Sequence, residues 1–337
     1  MKENNILRLT VLSYLVLTIG GKGLKSVSVG ESQNSDPILT SQQVNQIIQA
    51  EDGDIYDCVD VNQQPTFKHP LFKDHKVQME PSSFPIGLDI KSSSVAAVSQ
   101  AQLSTIDCPI GTVPILRNNE VDTMMVQRIG KLTSNDVQQQ LAAGIKYFDD
   151  VYGTRASINV YDPKVKKDSN DLSASWIQIG NVPKVTDGDE IGAGSWVSAR
   201  TSGDNFARFH IAWDPKTKNW WLAYGSNNTL IGYWPSSQFS YIKDIGNFAF
   251  WGGYVQGPTA SSDPPQMGSG HFASEGYGKA AFIRNIQVIK DENNKLVTPN
   301  IRNAYPGSDD RKLYTDDGYG INDDGMHVYY GWPGKYS

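Results

Sequence analysis

Five histidines, His69, His75, His210, His271 and His327, are scattered along the chain with no second ligand at helical or turn spacing, so they outline no zinc site. Gly192-Ala193-Gly194 and Gly268-Ser269-Gly270 lack the glycine spacing and the following helix of a phosphate loop, and no Gly-x-Ser-x-Gly elbow is present. Asp316-Asp317-Gly318 and Asp323-Asp324-Gly325 are acidic enough to suggest calcium. They lack the closing bidentate Glu, so they read as solvated turns. Both cysteines precede residue 110, which leaves the long remainder without a thiol nucleophile. What remains is carboxylate or amide chemistry, with no metal and no cofactor implied. It lies among Trp196, Trp220, Trp221, Trp234, Trp251 and Tyr254, a density more usual for a sandwich core than for a groove.

The stretch Asn247 to Gln256 is the strand that would position such chemistry, because it is aromatic and apolar and is broken by Gly252 and Gly253. Paired glycines weaken a strand, so they mark a bulge, a bend, or the close approach of a ligand or a second backbone. Around it lies a series of short β-like runs, each bounded by Gly, Pro, Asn or Asp: 156–161, 175–179, 191–197, 206–213, 219–224, 230–234, 280–289 and 327–330. Such spacing is the signature of an antiparallel sandwich or barrel. Upstream the character differs. Val44, Ile47 and Ile48 predict a short helix capped by Thr40 or Ser41, and Ser134 predicts a second helix over 135–143 with Gly144 as its stop. Between them Pro65, Pro70, Pro81 and Pro85 force an extended course.

The chain has 337 residues, of which 39% are hydrophobic, enough for two parts rather than one ordinary domain. A net charge of -6 removes any general electrostatic drive toward nucleic acid or an anionic membrane. Lys2 and Arg8 precede an apolar run over 9–19 that ends in Gly20 and Gly21, the layout of a secretory signal peptide, here taken as residues 1–23. That run is too short for a permanent span, so the product is expected to be secreted and soluble once the signal is removed. In an oxidising compartment Cys58 and Cys108 either pair or remain reactive thiols, and pairing is the favoured reading. Asn227 heads an Asn-Asn-Thr glycosylation sequon.

Several motifs, taken in order, resemble one family. They are Asp57-Cys-Val-Asp-Val-Asn-Gln-Gln-Pro-Thr-Phe-Lys-His-Pro70, Cys108-Pro-Ile-Gly-Thr-Val-Pro-Ile115, Asn219-Trp-Trp-Leu222, Gly232-Tyr-Trp-Pro235, Trp251-Gly-Gly253, Gln266-Met-Gly-Ser-Gly-His-Phe272, Glu275-Gly-Tyr-Gly-Lys-Ala280 and Tyr330-Gly-Trp-Pro-Gly334. The chain is similar on these to the neprosin family of plant secreted proteins. The resemblance implies a small α+β activation-peptide region over 40–130 that packs on a catalytic-like domain over 131–337, the latter an all-β antiparallel β-sandwich. It also implies glutamic peptidase chemistry that cuts after proline, with a proline-containing peptide or cell-wall protein as partner and with Trp196, Trp251, Gly252 and Gly253 lining the cleft. In such chemistry one glutamate acts as general base on a water while the other steadies or protonates the tetrahedral intermediate.

The family's two catalytic glutamates are missing from the matching text. Gly192 stands where the first is expected, in Ile191-Gly-Ala-Gly-Ser-Trp196, and Tyr254 where the second is, after Trp251-Gly-Gly253. The interval between the two strands is also shorter than the family implies, with a segment absent between Val197 and Phe206. Three readings follow: a family member without peptidase activity, a chain too shortened to fold well, or an acid peptidase using displaced groups. For the last, Glu190 and Gln256 lie two residues from the lost positions and on the same strand faces, each displaced by about 7 Å.

Overall fold

The computed structural model describes residues 44–49, 55–68, 72, 74–86, 108–117, 139–161, 163–165, 171–184, 187–197, 205–225, 228–257, 260, 262–291, 293–323 and 325–335. The signal segment, Asn227 and the stretch 128–132, where activation cleavage is expected, lie outside them. The strands in chain order are β1 Val44–Gln49, β2 Ile55–Asp60, β3 Thr112–Leu116, β4 Gln139–Tyr147, β5 Gly153–Val160, β6 Leu172–Lys184, β7 Asp187–Val197 and β8 Asn205–Trp213. They continue with β9 Trp220–Tyr224, β10 Thr229–Trp234, β11 Phe248–Gly257, β12 Ala281–Ile289, β13 Leu296–Val297, β14 Ala304–Ser308, β15 Thr315–Asn322 and β16 Gly325–Gly331.

Two sheets form an antiparallel sandwich. One is five-stranded in the order β14-β4-β11-β6-β7, and the other is eight-stranded in the order β10-β9-β8-β5-β12-β16-β15 with β13 beside β12. The core lies between them, because odd-numbered residues of the five-stranded sheet, among them Ile145, Tyr147, Ile177, Ile179 and Trp251, meet Ile158, Trp220, Ile283, Val288, Val328 and Tyr330 of the other. Two buried polar pairs cross this core: the Tyr330 hydroxyl donates to Ser175 Oγ at 2.6 Å, and Trp251 Nε1 donates to Thr154 Oγ1 at 2.9 Å. Such pairing matters because an indole or phenol buried without an acceptor costs about 1–3 kcal/mol. Every run predicted as a strand is one. The turn over 214–219 also forms, with Asp214 Oδ1 accepting the amide of Lys216 at 3.0 Å.

Both predicted helices are strands instead. Residues 44–49 pair with β2 through Ile47 opposite Asp57, which leaves Ile47 57% exposed rather than on a buried helical face. Residues 139–147 are β4, sandwiched between β11 and β14. Gly144 is therefore no helix stop. It sits opposite both Gly252 and Gly307, and a Cβ there would fall 2.7 Å from Gly252 Cα. Pairing on both sides overrides the local helical preference of Gln, Leu and Ala. Among the described residues of the first region there are strands and a 3-10 turn over Pro65–Lys68, without the α+β character expected there. β1, β2 and β3 form a separate three-stranded sheet, and Cys58–Cys108 closes a loop across it with 50 residues of sequence separation, for which chain entropy predicts about 4 kcal/mol of stabilisation.

β11 has no bulge or bend at its glycine pair. Its register runs unbroken against β4 from Ala249 to Gly257 and against β6 from Phe248 to Gln256. The second backbone explains Gly252, and the core explains Gly253, where a Cβ would sit 2.6 Å from Met267 Cγ and from the Tyr330 ring. Gly253→Ala is therefore expected to destabilise the protein by roughly 1–3 kcal/mol through overpacking, read as a lower midpoint in urea unfolding.

Candidate active site

Even-numbered residues of β4, β6, β7 and β11 face away from the core, and directly paired residues share a face. The register therefore sets out the outer surface of the five-stranded sheet in rows. Phe248, Gly180 and Glu190 form one row; Lys146, Phe250, Gln178 and Gly192 the next; then Gly144, Gly252, Trp176 and Gly194; then Ala142, Tyr254, Ala174 and Trp196. Gly192 and Tyr254 do share this face. They lie two strands and four residues apart, about 10 Å across and about 13 Å along.

Between them stands Trp176. It is paired directly with Gly194, and its indole spreads over both neighbouring glycines: a Cβ on Gly192 would clash with Nε1 and sit 2.6 Å from Cε2, and one on Gly194 would sit 2.8 Å from Cε3. An aromatic ring laid across a bare cross-strand glycine recovers contact that the glycine forfeits. The indole meets the Tyr254 ring edge-on at 5.9 Å and 79°, and Trp176 and Tyr254 are each only 2% exposed. Ala174, Ala142 and Leu172 complete this small apolar cluster. The Tyr254 hydroxyl is buried in it with no hydrogen-bond partner among the described residues, and burial pushes its pKa above the ordinary tyrosine range.

Glu190 lies one row beyond Gly192 and three from Tyr254, with its Cγ over the bare backbone of Gly180, where a Cβ would approach it to 2.9 Å. Burial raises its pKa to about 7, against the opposing effect of a hydrogen bond from the Gln178 side chain. Between pH 4.3 and 7 this carboxyl is consequently neutral while an exposed one is charged. Lys146, on the same face, is engaged by Asp309 at 2.9 Å. No group of three or more His, Cys, Asp or Glu with metal-binding geometry occurs among the described residues.

Several expected site residues are placed elsewhere. Gln256 is opposite Leu172 and Gln140, eight residues along β11 from the row of Glu190, so roughly 26 Å separates the two and they cannot flank one bond. Trp251 and Gly253 point into the core instead of lining a cleft. Trp251 is fully buried against Tyr147, at 5.8 Å between ring centroids. Trp196 holds an outer-face register position, and its side chain lies outside the described residues. Gln178 and Trp176 were not singled out from the sequence. The signal for them was the hairpin of β6 and β7, whose register sets Trp176 beside the Gly192 and Gly194 pair.

A family model described as Neprosin matches residues 211–333, and one described as Neprosin activation peptide matches residues 47–151. Tyr254 falls within the first. Gly192, in the interval 152–210, falls within neither, so its correspondence rests on its motif and strand register. Among solved structures, SCP-B, a member of the eqolisin family of peptidases in a complex with the tripeptide Ala-Ile-His, is 11% identical, covering 57% of this chain and 98% of its own, with a TM-score of 0.34. Scytalido-glutamic peptidase with a transition state analog inhibitor is 12% identical, covering 58% and 100%, with a TM-score of 0.33. At such scores these likenesses carry no weight for function.

Because the Glu190 carboxyl has a folded pKa above its unfolded value near 4.3, ionising it works against the fold, and stability is lost as pH rises through about 7. Glu190→Gln is expected to stabilise the protein by on the order of 2–3 kcal/mol at pH 8, with the gain vanishing near pH 4. Urea unfolding of both proteins at the two pH values checks this, and equal stability at pH 8 would contradict it.

Proposed function

The chain belongs to the neprosin family, and on that premise we propose that it is a secreted neprosin-like protein which keeps the family's sandwich but lacks its two-glutamate peptidase chemistry. The observation that carries this reading is the Trp176 indole lying where a side chain on residue 192 would project. A water at that position meets a ring instead of a carboxylate, so it has no general base. The second position offers a phenol with a raised pKa, which accepts no proton at acid pH. The remaining role is to hold a proline-containing peptide or wall protein on the outer face without cutting it. Secretion is supported by the signal-like segment and by the Cys58–Cys108 disulfide.

One observation favours a second reading. Glu190 is a half-buried carboxyl hydrogen-bonded to an amide side chain, so a displaced pair would be Glu190 with Gln178 rather than with Gln256. The sign of its pKa shift separates the two readings. A base with a pKa of about 7 works only above that pH, so any cleavage through Glu190 rises toward alkaline pH instead of peaking in acid.

Acid-treated, purified protein and its Glu190→Gln variant are to be incubated with proline-containing reporter peptides at pH 4 and pH 8. No cleavage above background is expected from either. Cleavage at pH 8 that the variant abolishes would establish the second reading, and cleavage at pH 4 that the variant retains would overturn both. Gly192→Glu alone is expected to yield no activity and to lose about 2 kcal/mol or more of stability, because the new side chain must displace the indole.

A further inference from the structure

Residues 75–86 contain Pro81 and Pro85 and take an irregular course, bent at 79–80 and 82–83, over the β9–β10 end of the eight-stranded sheet. Alternation decides which side they occupy. Trp220 and Leu222 belong to the core between the sheets, whereas Trp221, Ala223 and Leu230 form a separate cluster on the opposite side, packed with Tyr233 and with Phe84 of the N-terminal region. Trp221 and Tyr233 lie 4.7 Å apart, and Trp221, Ala223 and Leu230 are 3–6% exposed. This is the outer face of the eight-stranded sheet. Gly192, Trp176 and Tyr254 are on the outer face of the other sheet, across the full thickness of the sandwich.

The polar contacts there are as closely matched as the apolar ones. The Tyr233 hydroxyl accepts the Gln78 amide at 2.9 Å and lies 2.6 Å from His75 Nε2. Asp214, 1% exposed, accepts the Ser82 amide at 2.8 Å, the Ser82 hydroxyl and Gln78 Nε2 at 2.9 Å, beside the amides of its own turn from Lys216 and Thr217. Asn219 Nδ2 donates to Gln78 Oε1 at 2.8 Å, and the Ile86 amide donates to the Asn294 carbonyl at 2.7 Å, extending the sheet by a bridge to Lys295. Withdrawing the segment would strip a buried carboxylate of three of these five donors and expose an indole cluster. Although burial raises the Asp214 pKa, the Ser82 and Gln78 hydrogen bonds prevail and bring it down to about 2, which agrees with an anion well served by its donors.

The covalent topology adds to this. The clamp segment lies inside the loop closed by Cys58 and Cys108, so it is tied to the three-stranded sheet on both sides. A cut between residues 117 and 139 falls outside that loop. We infer that the N-terminal region is a permanent component of the molecule, clamped through His75, Gln78, Ser82 and Phe84 to Asp214, Trp221 and Tyr233, and that it stays bound after the chain is cut between the two regions. This goes beyond the proposed function and does not depend on it, since its test involves no peptide substrate.

The full chain carrying a protease site inserted between Arg128 and Ile129, flanked by Gly-Ser spacers, is to be cut to completion and passed over a sizing column at neutral pH and micromolar concentration. The two pieces are expected to co-elute, with the melting temperature of the uncut protein retained. Ser82→Ala with Phe84→Ala is expected to weaken the association at least about tenfold, enough for the pieces to part on dilution. Ser82→Ala alone is the milder arm should the double variant fold poorly. Separation of the wild-type pieces at micromolar concentration would overturn the inference, as would co-elution that neither variant weakens.

Discussion

Strand β11 is paired along its whole length on both sides, from Ala249 to Gly257 against β4 and from Phe248 to Gln256 against β6. Side chains alternate along a strand, so a slip of one residue in either ladder would exchange the two faces of the sheet, putting Trp251 into solvent and Tyr254 into the core. Glycine secures the register. The backbones of β4 and β11 approach so closely at Gly144 and Gly252 that only these two residues can face each other there. The inner face then becomes the core, and the outer face carries the positions of Gly192 and Tyr254.

On that outer face, packing and electrostatics favour the same outcome. Aromatic rings cover the bare stretches of backbone, Trp176 over Gly192 and Gly194 and the Phe250 ring over Gly252. A surface filled this way excludes water from its centre, and the Glu190 carboxyl beside it responds by holding its proton. Glu190 thus adds no charge to this face in acid. On the reading proposed above, such a face suits shape-selective contact better than the stabilisation of a charged transition state, which needs preorganised dipoles and charges.

β13, β14 and β15 went unseen, and Asp316-Asp317-Gly318, read as a solvated turn, lies within β15, whereas most other strands of the sandwich were legible because each is a short β-branched or aromatic run between turn residues. β4 was not, since Gln139 to Ala143 is rich in helix formers and Gly144 mimics a helix stop; only the two neighbours that pair with it reveal its role. β1 misled in the same way, since Val44, Ile47 and Ile48 fit a helical face as well as an exposed strand. The glycine pair of β11 was recognised as needing a close neighbour, but one sequence does not say whether that neighbour is a ligand or another backbone. Gly192 and Tyr254 were linked only through the family resemblance, and it is the strand register that puts them on one face. The indole between them depends on the β6–β7 register, which a single strand's pattern does not carry.

The mutual fit of Trp176 with Gly192 also bears on how such a protein changes over generations. While the indole occupies that space, a carboxylate at residue 192 arrives as a clash; while residue 192 is glycine, a smaller residue at 176 leaves bare backbone and a void. Each substitution alone is harmful, and only the two together are compatible. The pair therefore works as a ratchet in sequence space, in which reversal requires crossing a less stable intermediate, so the present arrangement is retained even where no selection acts on it directly.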